Sequence, residues 1–139
     1  MNYETALSMT DPNKWHANEP LLVSFGVLQG SCVVDREGED VGEIVEVMID
    51  LDLGCIALVM LSFEGYPDLE DLRFFLPWPL LNADVEEGVF RLRLDLQELD
   101  KAHGFRRHEG PRMLRRSYAD DLYARYGCTP PWKDKPASE

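Results

Sequence analysis

Between Leu28 and Trp78 the chain alternates short apolar runs with acidic, glycine-bearing turns, and the bounded length of those runs favours strands over helices. Residues 31–34 open the series and stop at Asp35-Arg36-Glu37-Gly38, a polar turn with glycine where a positive φ is often required. Residues 41–50 read as the second strand. Val45, Val47 and Ile49 share one face and Glu43 and Glu46 mark a wetter edge, although Ile44 and Met48 break the alternation. Asp50-Leu51-Asp52-Leu53-Gly54 makes the next turn. Residues 55–63 are almost wholly apolar, which predicts a strand covered on both faces. An acidic loop over 64–71 leads to a strand at 72–76, ended by Pro77, which cannot donate to a ladder. Residues 82–85 and 89–94 form the last hairpin, with Phe90, Leu92 and Leu94 on one face and Arg91 and Arg93 on the other. Six short strands at this spacing predict a mainly β fold, a small six-stranded barrel whose closure removes exposed edges.

Two helices are expected after the last strand. Asp95 is a natural N-cap, Glu98 completes a capping-box-like pair, Leu94 and Leu99 form a staple, and Gly104 ends this short helix. A C-terminal amphipathic helix fits 111–126, with Pro111 in its first turn and Gly127 just past its end. Leu114, Tyr118, Leu122 and Tyr126 recur every four residues as one stripe. The chain then divides into an N-terminal tail or docking segment at 1–25, anchored if at all by Trp15, a barrel at 26–105, and a basic helix with its tail at 106–139.

A chain of 139 residues suits one domain. It has no apolar run of the ~18 residues a membrane span needs, and the start lacks the basic and cleavage regions of a secretory signal. Both absences point to the cytoplasm. Charge is distributed unevenly. Residues 1–100 hold 21 acidic and 5 basic side chains, whereas residues 101–125 hold 3 acidic and 7 basic ones. So acidic a body repels phosphate backbones and disfavours nucleic acid as its partner. Cys32 and Cys55 lie in apolar runs as expected buried free thiols, Cys128 stands apart, and His16, His103 and His108 are scattered, so no zinc-ligand spacing exists.

Leu28-Gln29-Gly30 begins a pattern that continues with Asp35, Gly38 and Gly42, then a Val-rich strand closing at Asp50, then Leu76-Pro77-Trp78. In order and spacing these residues resemble the PRC-barrel family, named for the cytoplasmic domain of the photosynthetic reaction-centre H subunit. The resemblance spans roughly residues 26–105 and implies a compact six-stranded barrel that often serves as an interaction platform. Relatives include the C-terminal domain of a ribosome maturation factor and small stand-alone bacterial and archaeal proteins. No catalytic residue is shared across that family, so none is carried over. The H-subunit role is not carried over either, and the basic helix after the barrel is an addition the family pattern does not explain.

The sequence offers no catalytic, cofactor-binding or metal-ligating set. Glu64, Asp68, Glu70 and Asp71 lack the spacing of a calcium loop and read as a solvated turn. Trp78 beside Pro77 reads as a plug at the barrel end. The candidate partner-binding residues are Arg112, Arg115, Arg116, Tyr118, Tyr123 and Trp132. Arginines at a helix start oppose the macrodipole and repel one another, so an acidic surface of the same chain, of another copy or of a partner should compensate them. The expectation is a non-catalytic cytoplasmic protein-interaction or scaffold module, holding a protein partner or a second copy as a homodimer. The alternative is an RNA- or ribosome-associated factor that uses the arginines.

Overall fold

The computed structural model describes residues 22–134. The expected tail up to residue 21, with Trp15, lies outside them. Helix α1 (Phe25–Leu28) precedes strands β1 (Cys32–Val34), β2 (Asp40–Asp50), β3 (Cys55–Ser62), β4 (Leu72–Pro77), β5 (Leu81–Asp84), β6 (Val89–Leu92) and β7 (Phe105–Arg106), and helix α2 (Arg116–Arg125) follows. The strands make one sheet in the order β5-β6-β1-β2-β3-β4-β7. Neighbours are antiparallel except β1 and β6, which run parallel with Val33 opposite Phe90.

Two features of the expected barrel need correction. The sheet has a seventh strand, because Phe105 and Arg106 pair with Arg73 and Leu72. Its hydrogen-bonded order also stops at β5 and β7, with no ladder joining them among the described residues. The sheet nevertheless curls onto itself. Val33, Ile44, Val59, Leu61, Phe74, Leu76, Phe90 and Leu92, from five different strands, are at most 2% exposed within one cluster. A flat sheet cannot dry one face with its own side chains, so the curl follows from the burial. Val27, Leu28, Leu69, Leu80, Leu94 and Leu99 plug the remaining openings. Each such side chain contributes roughly 1.5–3 kcal/mol when fully buried.

β2 departs from the alternation read in its sequence. Ile44 and Val47 enter the interior, Val45 and Met48 pack against a second, outer cluster, and Ile49 is 48% exposed. The registers explain it. From Ile44 opposite Leu61 to Glu46 opposite Met60, β2 advances two residues and β3 one, so Val45 is an extra residue. Between Leu58 and Ile56 the extra residue is Ala57 on β3. Each bulge changes which face the following side chains take.

β3 is covered on both faces, as its unbroken apolar run predicts. Val59 and Leu61 face the interior, while Leu58 and Met60 lie beneath Ala119, Leu122 and Tyr123 of α2. The helices need correction. In place of a short helix after β6 there are two single 3-10 turns, Leu96–Glu98 and Lys101–His103. Asp95 caps the first by accepting from the Gln97 N–H at 3.0 Å, and Asp100 caps the second by accepting from the Ala102 N–H at 2.9 Å. Two aspartates five positions apart start two turns where one would have started a helix.

α2 begins at Arg116 rather than Pro111, and Arg115 is extended at φ −85°, ψ 152°. A helix begun at 111 would stack three arginines against its own dipole with no acidic residue in the first turn. Its buried line also shifts: Ala119, Leu122 and Tyr123 are buried, while Tyr118 and Tyr126 flank them half-buried.

Candidate functional site

The residues of the family-like pattern build the scaffold. Asp35 Oδ1 accepts from the N–H groups of Glu37 and Glu39, both at 2.9 Å, and Gly38 turns the chain at φ 86°. Gly30 donates its N–H to the Ile44 carbonyl at 2.7 Å. Gly42 lies so close to β3 that no side chain fits there. Pro77 ends β4 in the core, and Trp78 packs half-buried on Phe90 with ring centroids 5.8 Å apart.

Asp50 terminates β2 and shapes the turn after it. Its Oδ1 accepts from the N–H groups of Asp52 (2.9 Å) and Leu53 (3.0 Å). The Arg116 guanidinium grips the same carboxylate, with Nε 3.0 Å from Oδ2 and Nη2 2.9 and 2.7 Å from Oδ1 and Oδ2. Nη2 also reaches Asp52 Oδ2 at 3.4 Å. The same guanidinium lies 5.2 Å from the centroid of the Trp132 ring, a cation–π contact. Trp132 donates from Nε1 to Asp120 Oδ1 at 2.6 Å and meets Tyr123 edge-on at 5.2 Å. Arg116 is therefore compensated by the barrel of its own chain.

Burial pushes the Asp50 carboxyl up, but the Leu53 N–H, the Arg116 guanidinium and the Asp52 N–H together hold it below the ordinary carboxylate value. A folded-state pKa below the unfolded one contributes stability above the unfolded value, and that contribution is lost as pH falls through the folded one. Asp50→Asn should lower the melting temperature near neutral pH and flatten its decline below about pH 4. Melting curves of both proteins across acidic pH check this, and parallel acid limbs would contradict it.

The six candidate partner-binding residues separate into two groups. Tyr123 is 0% exposed and faces inward, Trp132 is 9% exposed, Tyr118 stacks edge-on against Phe75, and Arg116 is held as described. These four fix the C-terminal segment to the sheet. Arg112 and Arg115 are exposed and make no ion pair among the described residues.

Those two arginines border a groove of about 700 Å³ between the β2–β3 hairpin and the segment before α2, floored by Val47, Ala57, Leu58 and Ala119. Ile49 (48% exposed), Leu51 (94%) and Met113 (84%) line it too, three of the six large apolar side chains that stand exposed among the described residues. The sequence reading missed all three. The available signal was leucine at the tip of an otherwise acidic turn and methionine among arginines.

Elsewhere the chemistry is sparse. Among the described residues no cluster of three or more His, Cys, Asp or Glu is arranged to hold a metal ion. Asp68 pairs with Lys101 at 3.7 Å and Glu64 with Arg107 at 3.4 Å, both on the surface. Cys32, Cys55 and Cys128 are free and half-buried, which for Cys32 and Cys55 is less enclosed than expected, and burial pushes each thiol up. No helix among the described residues is long and apolar enough to cross a membrane.

No curated protein matches this chain. A family description does: the PRC-barrel domain matches residues 24–97, more than half of the length, over the stretch that carries the curled sheet and its turn motifs. With that match added to the Asp35–Gly42 turn, the Pro77-Trp78 corner and the single wrapped sheet, the chain belongs to the PRC-barrel family.

Proposed function

We propose that this protein is a non-catalytic docking module that holds a protein partner in the groove between the β2–β3 hairpin and the segment before α2. The observation that carries the reading is the gathering of Ile49, Leu51 and Met113 around one concavity. Exposed apolar side chains collected at one place, rimmed by polar ones, mark interaction sites. The occupant is a segment of another protein with an apolar anchor beside carboxylates. The anchor suits the floor, and the carboxylates suit Arg112 and Arg115, while Arg116 answers Asp50 and Asp52. Three free cysteines fit a reducing compartment, which supports the cytoplasm as its place of work.

RNA binding through the arginines is the competing reading, and the engagement of Arg116 by Asp50 and Asp52 weakens it. A photo-cross-linking residue at position 113, with position 82 on β5 as control, separates the two in the native host. A single protein joined from 113 and not from 82 is expected. With the purified pair, Met113→Asp, Leu51→Asp and Arg115→Glu should each weaken binding about tenfold. Adducts with RNA alone, adducts only with a second copy, or a purified pair indifferent to these substitutions would each overturn the reading.

A further inference from the structure

A second cleft, of about 380 Å³, lies where β1, β2 and β3 meet on the outer face, and Asp40, Glu43, Glu64, Cys32, Ser62 and Gly42 border it. Asp40 and Glu43 are an odd number of positions apart, so a regular strand would set them on opposite faces. The β1–β2 register prevents that. Val33 is opposite Gly42 but Val34 is opposite Asp40, so Val41 is an extra residue and Asp40 comes round to the side of Glu43. Cys32, opposite Glu43, reports the result. Its thiol is pushed up by burial, then by a hydrogen bond to Asp40 and by the charges of Asp40 and Glu43.

Ser62 stands opposite Glu43 across the β2–β3 pair, on the same face, at the floor of the cleft. It is 2% exposed, and its hydroxyl is the one buried side-chain polar atom without a hydrogen-bond partner among the described residues. Buried polar groups are nearly always paired, so such an atom needs an explanation. Asp40 and Glu43 make no ion pair among the described residues, and Glu64 has only its exposed contact with Arg107. Arg73, opposite Ser62 on the β4 side, stands outside the cleft.

Carboxylates around an unused buried acceptor suit a cationic hydrogen-bond donor. A hard metal ion is a poor match, because it takes six or more oxygens and no metal-holding cluster exists among the described residues. A primary ammonium is a better one, being a compact charge with three donors. Two carboxylates and the Ser62 hydroxyl would receive them, and the chain's charge of −12 concentrates cations at the surface. We propose that this cleft binds a primary ammonium group, supplied either by a lysine side chain of a protein or by a free polyamine.

The test is an amide chemical-shift titration of the full chain at constant ionic strength. The probes are spermidine and the capped peptide acetyl-Gly-Lys-Gly-amide, with tetramethylammonium, which has no N–H donor, as comparator. Saturable shifts at Gly42, Glu43, Ser62 and Gly65 are expected with an ammonium probe and not with tetramethylammonium. Glu43→Gln and Asp40→Asn should each weaken binding about tenfold, and Ser62→Ala severalfold, in proteins whose melting curves show them folded. Tighter binding of the peptide identifies a lysine-bearing partner as the source, and tighter binding of spermidine a free polyamine. Equal shifts with tetramethylammonium, shifts spread over the whole acidic surface, or affinities unmoved by the carboxylate substitutions would overturn the proposal.

Discussion

Tyr123→Phe should destabilise the protein by about 1–3 kcal/mol near neutral pH, and the loss should shrink in alkali. Tyr123 is 0% exposed, and its hydroxyl donates to the Ala57 carbonyl at 2.5 Å. Ala57 is the extra residue of the β3 bulge, so its backbone stands outside the regular ladder and relies on other partners. Removing the donor leaves a buried carbonyl short of one. Tyr123→Ala would also open a cavity against Trp132 and Leu58, and should cost about 3–5 kcal/mol.

Burial pushes the Tyr123 hydroxyl from 10.0 up to about 12, with the neighbouring Cys128 adding to the rise and a backbone hydrogen bond from Trp78 opposing it. Because the folded value is the higher one, the unfolded chain ionises first as pH rises past about 10, and wild-type stability falls with pH until the folded group ionises too. Phenylalanine lacks this penalty. By about pH 11 the gap between the two proteins should therefore have narrowed by about 1.4 kcal/mol. Tyr118 and Tyr126 are also pushed up by burial, but they are present in both proteins and cancel. Urea unfolding at neutral and alkaline pH measures the gap. A difference independent of pH would refute the account of Tyr123.

Gly42→Ala is the second large effect, expected at about 3 kcal/mol or more and a fall of roughly 10–15 °C in Tm. A Cβ on Gly42 would sit 1.9 Å from the Ser62 carbonyl oxygen and 3.0 Å from its carbon. Both are backbone atoms, so no rotamer change relieves the overlap, and β2 must move away from β3 where their ladder begins, at Glu43 opposite Ser62. Gly65 supplies the control. Nothing lies within 4 Å of an added Cβ there and its φ is not positive, so Gly65→Ala should be neutral or stabilising by about 0.4–1 kcal/mol. Similar unfolding midpoints for the two variants would show that the close approach at Gly42 is not what requires glycine.

The sheet's strands were legible because their signals are local. Turn aspartates bond to N–H groups two to four residues on, as Asp35 and Asp50 do, and such spacing is visible in the chain itself. The apolar run 55–63 announced a strand buried on both faces without saying what would cover it. That an arginine at the helix start calls for acidic company was also readable, and Arg116 finds it in Asp50 and Asp52, whereas Arg112 and Arg115 precede the helix. Which arginine would find it was not readable. Arg112, Arg115 and Arg116 look alike in the sequence, yet of the three that border the groove only Arg116 is held by carboxylates.

The number and order of the main strands, their turns and the Asp95 cap were readable from residues within a few positions of one another, and the family from the order of those local signals between Leu28 and Trp78. The bulges at Val41, Val45 and Ala57, the seventh strand, the late start of α2, the apolar groove and the acidic cleft came only with the tertiary structure. Those features depend on pairings far apart in the chain, such as Arg116 with Asp50 and Tyr123 with Ala57, each separated by 66 residues. A bulge changes the face of every side chain after it, and its position is set by the strand opposite rather than by the strand that carries it.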